Sequence, residues 1–170
     1  MTTSRITRLV THLGLAAGGV ALLGAGTAAR ADEIHDRDVG IGLSVGEPTG
    51  LSAQFDVDRA RSAINLAAGL DYAEHRHVHV DYLFYPAVIG LNRSVAMPLY
   101  IGLGGFVKDH PDDFGPHGGA RMPLGLELDF RAPIQVFGEL TPSLTLVETD
   151  DQMPHRGLIL TGAVGVRARM

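Results

Sequence analysis

Residues 39–57 read VGIGLSVGEPTGLSAQFDV, and the reading of this stretch decides the fold. Val39, Ile41, Leu43 and Val45 alternate with Gly40, Gly42, Ser44 and Gly46. After a break at Glu47-Pro48-Thr49-Gly50, Leu51, Ala53, Phe55 and Val57 alternate with Ser52, Gln54 and Asp56. A period of two places the apolar set on one face of an extended strand and the small or polar set on the other. The break is made of turn residues, so the stretch reads as a hairpin.

The same grammar continues outward from this hairpin. Ile64, Leu66, Ala68, Leu70 and Tyr72 form one apolar row, and Val78, Val80, Tyr82 and Phe84 another. Further rows are Leu99, Ile101 and Leu103, then Leu124, Leu126, Leu128 and Phe130, then Ile134, Val136 and Leu140. Leu158, Leu160, Val164 and Val166 make the last. No window beyond residue 38 carries a 3.6-residue apolar stripe. Eight segments of about 8–12 residues have the length at which a tilted strand crosses a hydrocarbon core.

The second face decides between a soluble and a membrane barrel. In a soluble sandwich or a lipocalin it would meet water and be rich in Lys, Glu and Thr. Here it is mostly Gly, Ala and Ser, with scattered Asp, Glu, Arg and His. Such residues suit the narrow interior of an eight-stranded barrel, with the apolar rows turned to lipid. Tyr72, Tyr82, Phe84, Tyr100 and Phe130 are expected in interfacial girdles. The fold class is thus all-β, an eight-stranded antiparallel up-and-down transmembrane β-barrel. A soluble periplasmic lipocalin-like ligand-binding barrel is the runner-up. An even strand number puts residues 47–50, 74–77, 108–119 and 148–157 at the outer end. Residues 58–62, 86–98 and 131–133 become periplasmic turns, with 86–98 long for that role.

The rest of the composition excludes several classes. The chain has 170 residues, 45% hydrophobic and 19% charged, enough for one ordinary domain and neither disordered nor repetitive. The absence of Cys removes disulfide scaffolds, thiolate zinc sites and Cys nucleophiles, and a formal charge of −5 argues against nucleic acid as a partner. Residues 1–31 read as a signal peptide: Arg5 and Arg8 precede an uncharged Ala, Gly and Leu-rich run that ends in Ala29-Arg30-Ala31. Residues 32–170 are then the barrel domain, acidic and exported to a bacterial envelope.

Several blocks resemble a known family: GIGLSVGEPTGLSAQF at 40–55, HVDYLFY at 79–85, PLYIGLGG at 98–105, MPLGLEL at 122–128, VFGELTPSL at 136–144 and GAVGVRARM at 162–170. They are similar to small bacterial outer-membrane β-barrel proteins of unknown function, of the OmpA-like eight-stranded type. The resemblance implies a fold and an outer-membrane location and carries no established activity.

Gly40-x-Gly42 lies inside a strand with no helix after it, so it is packing space and not a dinucleotide loop. His75, His77, His79 and Asp81 share one face, but same-face residues are about 7 Å apart, long for two ligands on one ion. His77, His79, Asp81, His110, His117 and His155 are weak metal candidates, and lumen filling or loop solvation is the expectation. The loop acids Asp109, Asp112, Asp113, Glu148, Asp150 and Asp151 would surround the mouth. Asp71, Asp81, Glu127, Asp129 and Glu139 need compensation from Arg121, Arg167 and Arg169, which predicts a lumen ion-pair network. Ser44, Ser52, Ser62, Ser94 and Ser143 include none in a nucleophile elbow, so a lipid-modifying outer-membrane enzyme is only the alternative. The expectation is no enzyme, no cofactor and no resident metal. A monomer inserted by the outer-membrane assembly machinery is expected, with a structural, surface-interaction or narrow, porin-like role.

Overall fold

A computed structural model describes residues 38–58, 61–92, 95–109, 116–147 and 157–170. The leader read at residues 1–31 lies outside the described residues, as do His110 and His155 and the acids Asp112, Asp113, Glu148, Asp150 and Asp151. The strands are β1 (Val39–Gly46), β2 (Thr49–Asp58), β3 (Ser62–Leu70), β4 (Arg76–Asn92), β5 (Val95–Asp109), β6 (His117–Arg121), β7 (Leu124–Phe130), β8 (Ile134–Val147) and β9 (Leu158–Arg169). Every pairing is antiparallel, and β1 pairs with both β2 and β9, so the sheet closes on itself.

Nine strands occupy eight lines. β6 and β7 both lie between β5 and β8, and they keep one register on each neighbour. Met122 and Pro123 interrupt this line, and two bonds hold it there: Met122 N–H donates to Pro142 O (2.9 Å) and Gly102 N–H donates to Pro123 O (2.7 Å). The proline itself has no N–H to give, which is why the ladder breaks at that point. By register, Gly40 leads to Gln54, Asn65, Asp81, Gly104, Arg121, Ser143 and Ile159 around the wall. Because Gly46 faces Ala163, Ile159 projects back to position 50 of the β1 line, ten residues beyond Gly40. That stagger tilts the strands about 35–45° from the barrel axis.

Two expectations need correction. Residues 86–98 are not a long turn: β4 runs to Asn92, β5 begins at Val95, and the pairing shifts between Phe84 and Ala87. Pro86 is accommodated at this bulge, where a missing N–H breaks no ladder bond. Tyr100 is not in an outer girdle; it is buried inside, whereas Tyr72, Tyr82 and Phe84 are exposed.

Burial is inverted relative to a water-soluble core. Leu43, Leu51, Leu103 and Leu140 are 58%, 63%, 69% and 60% exposed, while Arg167, Glu127 and Asp81 are 1%, 0% and 0%. Three lumen aromatics stand opposite glycine in the ladder: Tyr100 faces Gly125, Phe106 faces Gly119 and Phe137 faces Gly165. A Cβ on Gly125 or Gly165 would run into the facing ring, so the glycines let large rings lie flat on the inner wall.

Candidate functional site

The lumen is the only place where the described chain concentrates chemistry, and it is divided into levels. The lower level is built around Arg167 on β9. Its guanidinium donates to Ser52 Oγ (3.0 Å), Gln54 Oε1 (2.5 Å), Gln135 Oε1 (3.0 Å) and Asn65 Oδ1 (2.8 Å), and Glu127 Oε1 lies 3.4 Å away. The cation also stacks on Phe137, 3.8 Å from the ring centroid. Glu127 is bound from both sides, by Tyr85 O–H (3.1 Å) and Gln135 Nε2 (3.1 Å). Gln135 Nε2 also donates to Asp129 Oδ1 (2.8 Å), and Arg169 pairs with Asp56 at the bottom. A buried charge is tolerable when it is paired and its remaining lone pairs and protons are bonded, and Arg167 and Glu127 meet that condition, while Asp129 keeps one buried oxygen without a hydrogen bond.

Above it, Tyr85 and Tyr100 meet edge to face with centroids 6.0 Å apart, over Ala63 and Leu83. The upper level is built around Arg121 on β6. It donates to Glu139 Oε1 (2.7 Å), Thr141 Oγ1 (3.3 Å) and His79 Nδ1 (2.5 Å), and its Nε lies 3.1 Å from Asp81 Oδ1. Tyr100 O–H donates to Glu139 Oε2 (3.0 Å). Here the bonding is incomplete: Arg121 Nε, both oxygens of Asp81 and His79 Nε2 are sealed without a hydrogen bond of good geometry. So are both ring nitrogens of His77, which is 4% exposed.

At the mouth, Lys108 on β5 pairs with Glu47 in the β1–β2 turn and stands 3.4 Å from Asp71. Asp71 also accepts from the backbone N–H groups of Ala73 and His75 (2.9 Å each) and lies 3.3 Å from the His75 ring. Burial alone would raise the Asp71 carboxyl, but the His75 and Ala73 amides and the His75 imidazole outweigh it and hold it below the ordinary carboxylate value. A cavity of about 20 Å³ lies beneath, lined by His77, His117, Lys108, Glu47 and Thr145 among others.

The structure therefore brings Asp81, Glu139 and Arg121 together at one level and Glu127, Asp129, Arg167 and Arg169 at another, and it sets Asp71 apart at the mouth. Among the described residues no three imidazole or carboxylate groups stand close enough to share one ion. Sequence reasoning did not single out Gln54, Asn65, Gln135, Asp56, Tyr85, Glu47 or Lys108. The first three and Asp56 sit at inward positions of their strands, so parity marked their face. Their partners depend on a register that parity does not give. Residues 108–119 read as an outer loop, whereas β5 extends to Asp109 and β6 begins at His117.

No family model matches the chain, and no curated protein matches it. Among solved structures it is similar to the crystal structure of the N-terminal β-barrel domain of Pseudomonas aeruginosa OprF, with a TM-score of 0.50. The match has 13% sequence identity and covers 78% of this chain and 94% of that one. At that identity the likeness is one of fold.

Proposed function

We propose that this chain is a bacterial outer-membrane β-barrel whose lumen is packed shut, with a structural or surface-interaction role. The inverted burial carries the reading. An exterior of exposed Leu, Ile, Val, Tyr and Phe around a closed ladder is what hydrocarbon demands, because in lipid every backbone group must find its partner within the wall. The likeness in fold to the OprF barrel domain supports the same reading. A leader at residues 1–31 would deliver the chain, and the assembly machinery would insert it as a monomer. Catalysis forms no part of this reading.

The narrow-pore role ranks below the plug because Arg121, Arg167 and Phe137 cross the bore at two levels. Heat-modifiable migration of the detergent-refolded chain and its recovery with outer membranes are expected. A freely soluble periplasmic protein would overturn the membrane reading and restore the lipocalin-like one. Planar bilayers are expected to show no steady conductance, and stable single-channel steps would move the role from plug to pore.

A further inference from the structure

Two glycines on the apolar side of the wall are not required by the packing of the chain itself. Gly138 on β8 and Gly162 on β9 stand at outward positions, in rows that otherwise carry Leu and Val. Leu126, Gly138, Val164 and Val45 follow one another in register, and so do Leu124, Leu140 and Gly162. A Cβ added at Gly138 would meet only Val164 Cγ1, at 3.8 Å, an ordinary contact. At Gly162 it would come to 3.3 Å from Leu140 Cδ2, the end of a flexible side chain, and 3.4 Å from Glu139 O. The lumen glycines differ: at Gly125 and Gly165 a ring and a backbone carbonyl leave no room. Glycine weakens a strand, and one that its own packing does not need marks close approach from outside.

The space above them sets what approaches. Both glycines line a groove of about 740 Å³ on the outside of the wall, within the size range of small-ligand sites. Gly138 and Gly162 lie on one diagonal of a square on adjacent strands, with Leu140 and Val164 on the other, so a trough runs between these two side chains. Val45, Leu124 and Leu126 widen the walls, and Tyr72 closes one end, its O–H donating to Gly162 O (3.5 Å). Among the lining residues no charge faces the groove, because the carboxylate of Glu139 is bound inside by Arg121 and Tyr100. The groove therefore offers hydrocarbon along its length and one phenol at its end, which is the pattern of an amphiphile. A second barrel, convex like this one, would bridge the trough without entering it. We propose that the groove holds one acyl chain of a bilayer lipid, with the head-group end at Tyr72 and the tail over Gly138. The site presupposes the membrane reading of the exterior. A chain seated between Leu140 and Val164 touches protein on three sides, whereas one against a smooth wall touches it on one, so dispersion holds it longer.

The test refolds the full chain into dioleoylphosphatidylcholine vesicles holding a trace of phosphatidylcholine whose palmitoyl chain carries a diazirine. After illumination, labelled peptides are mapped by mass spectrometry. On the unaltered chain, labels are expected to concentrate on Leu124, Leu126, Leu140 and Val164. Gly138→Leu fills the trough and should lower that labelling on the order of tenfold, the affinity carried by about two buried methylenes. Gly105→Leu is the control: Gly105 stands beside Val80 on the outer face, a Cβ there would come no closer than 3.5 Å to Gly119 O, and it lies outside the groove. That change should leave the labelling as it is. Heat-modifiable migration checks that both variants fold. Labels spread evenly around the wall, or equal losses in both variants, overturn the groove and leave the membrane reading standing. A dimer that Gly138→Leu disperses gives this face to a second copy and overturns the lipid. A chain that neither floats with the vesicles nor takes label overturns the membrane reading, and the site with it.

Discussion

Arg167 and Arg121 are both sealed inside the same lumen, yet they are held in different ways. Arg167 donates to four neutral oxygens spread over β2, β3 and β8 and has Glu127 beside it, and that acid is itself bound by Tyr85 and Gln135. Arg121 has two acids, but Asp81 meets it without hydrogen-bond geometry, and two histidines near it retain unbonded nitrogens. The lower level is rich in side-chain amides, which bond as donor and acceptor together. The upper level is mostly charges and imidazoles, and the amide that faces Asp81 in register, Asn65, also accepts from Arg167 of the level below. Through Arg167 the lower level ties β9 to β2, β3 and β8, whereas the upper level keeps more polar atoms without a hydrogen bond.

The sharpest way to break this contrast is Arg167→Met. It leaves Glu127 buried beside vacated acceptors, and a loss of about 3–5 kcal/mol is expected in urea unfolding followed by gel mobility. A loss below about 1 kcal/mol would mean the lower level does not clamp the wall. Next in size, Gly165→Val drives a side chain into the Phe137 ring and should cost about 1–3 kcal/mol. Adding Phe137→Ala should recover part of it, and strict additivity would disprove the contact.

Paired acid-to-amide changes sharpen the comparison directly. Glu127→Gln replaces an accepting oxygen by an NH2 donor that faces other donors and should cost about 1–3 kcal/mol, while Asp81→Asn removes a carboxylate without a hydrogen bond of good geometry, leaves Arg121 paired with Glu139 and should cost less than about 1 kcal/mol. Equal costs would erase the distinction between the levels. The smallest effect belongs to the mouth. Because the folded Asp71 carboxyl lies below its unfolded value, its contribution is present above the unfolded value and fades as pH falls through the folded one. Asp71→Asn should flatten that acid limb by less than about 1 kcal/mol, read from unfolding midpoints across the acid range.

Much of the wall was legible from residue parity, because burial of one face imposes a period of two whichever side lipid or lumen takes. Parity failed at residues 86–98, where Pro86 and Pro98 read as turn residues. The bulge after Phe84 absorbs the first, and the second sits within β5 opposite Val88. It failed again at Tyr100, whose aromatic character suggested an interface when its inward parity was the better guide. The ions of the lumen were readable one by one as inward charges, but their partners were not. Arg167 and Asn65 are 102 positions apart and meet only because the register winds around the ring. Asp71 shows the limit from the other side: one inward position past the end of β3 moved it from the lumen to the rim.

The position of Arg167 and Arg169 on β9 has a consequence for the order of events in assembly. Both are synthesised after Asp56, Glu127 and Asp129, the acids of their level, and both sit on the strand that joins β1 to seal the ring. Until that seam forms, the growing sheet carries Asp56 and Glu127 without the arginines they pair with. Ring closure and the pairing of these acids with their arginines therefore arrive in a single step.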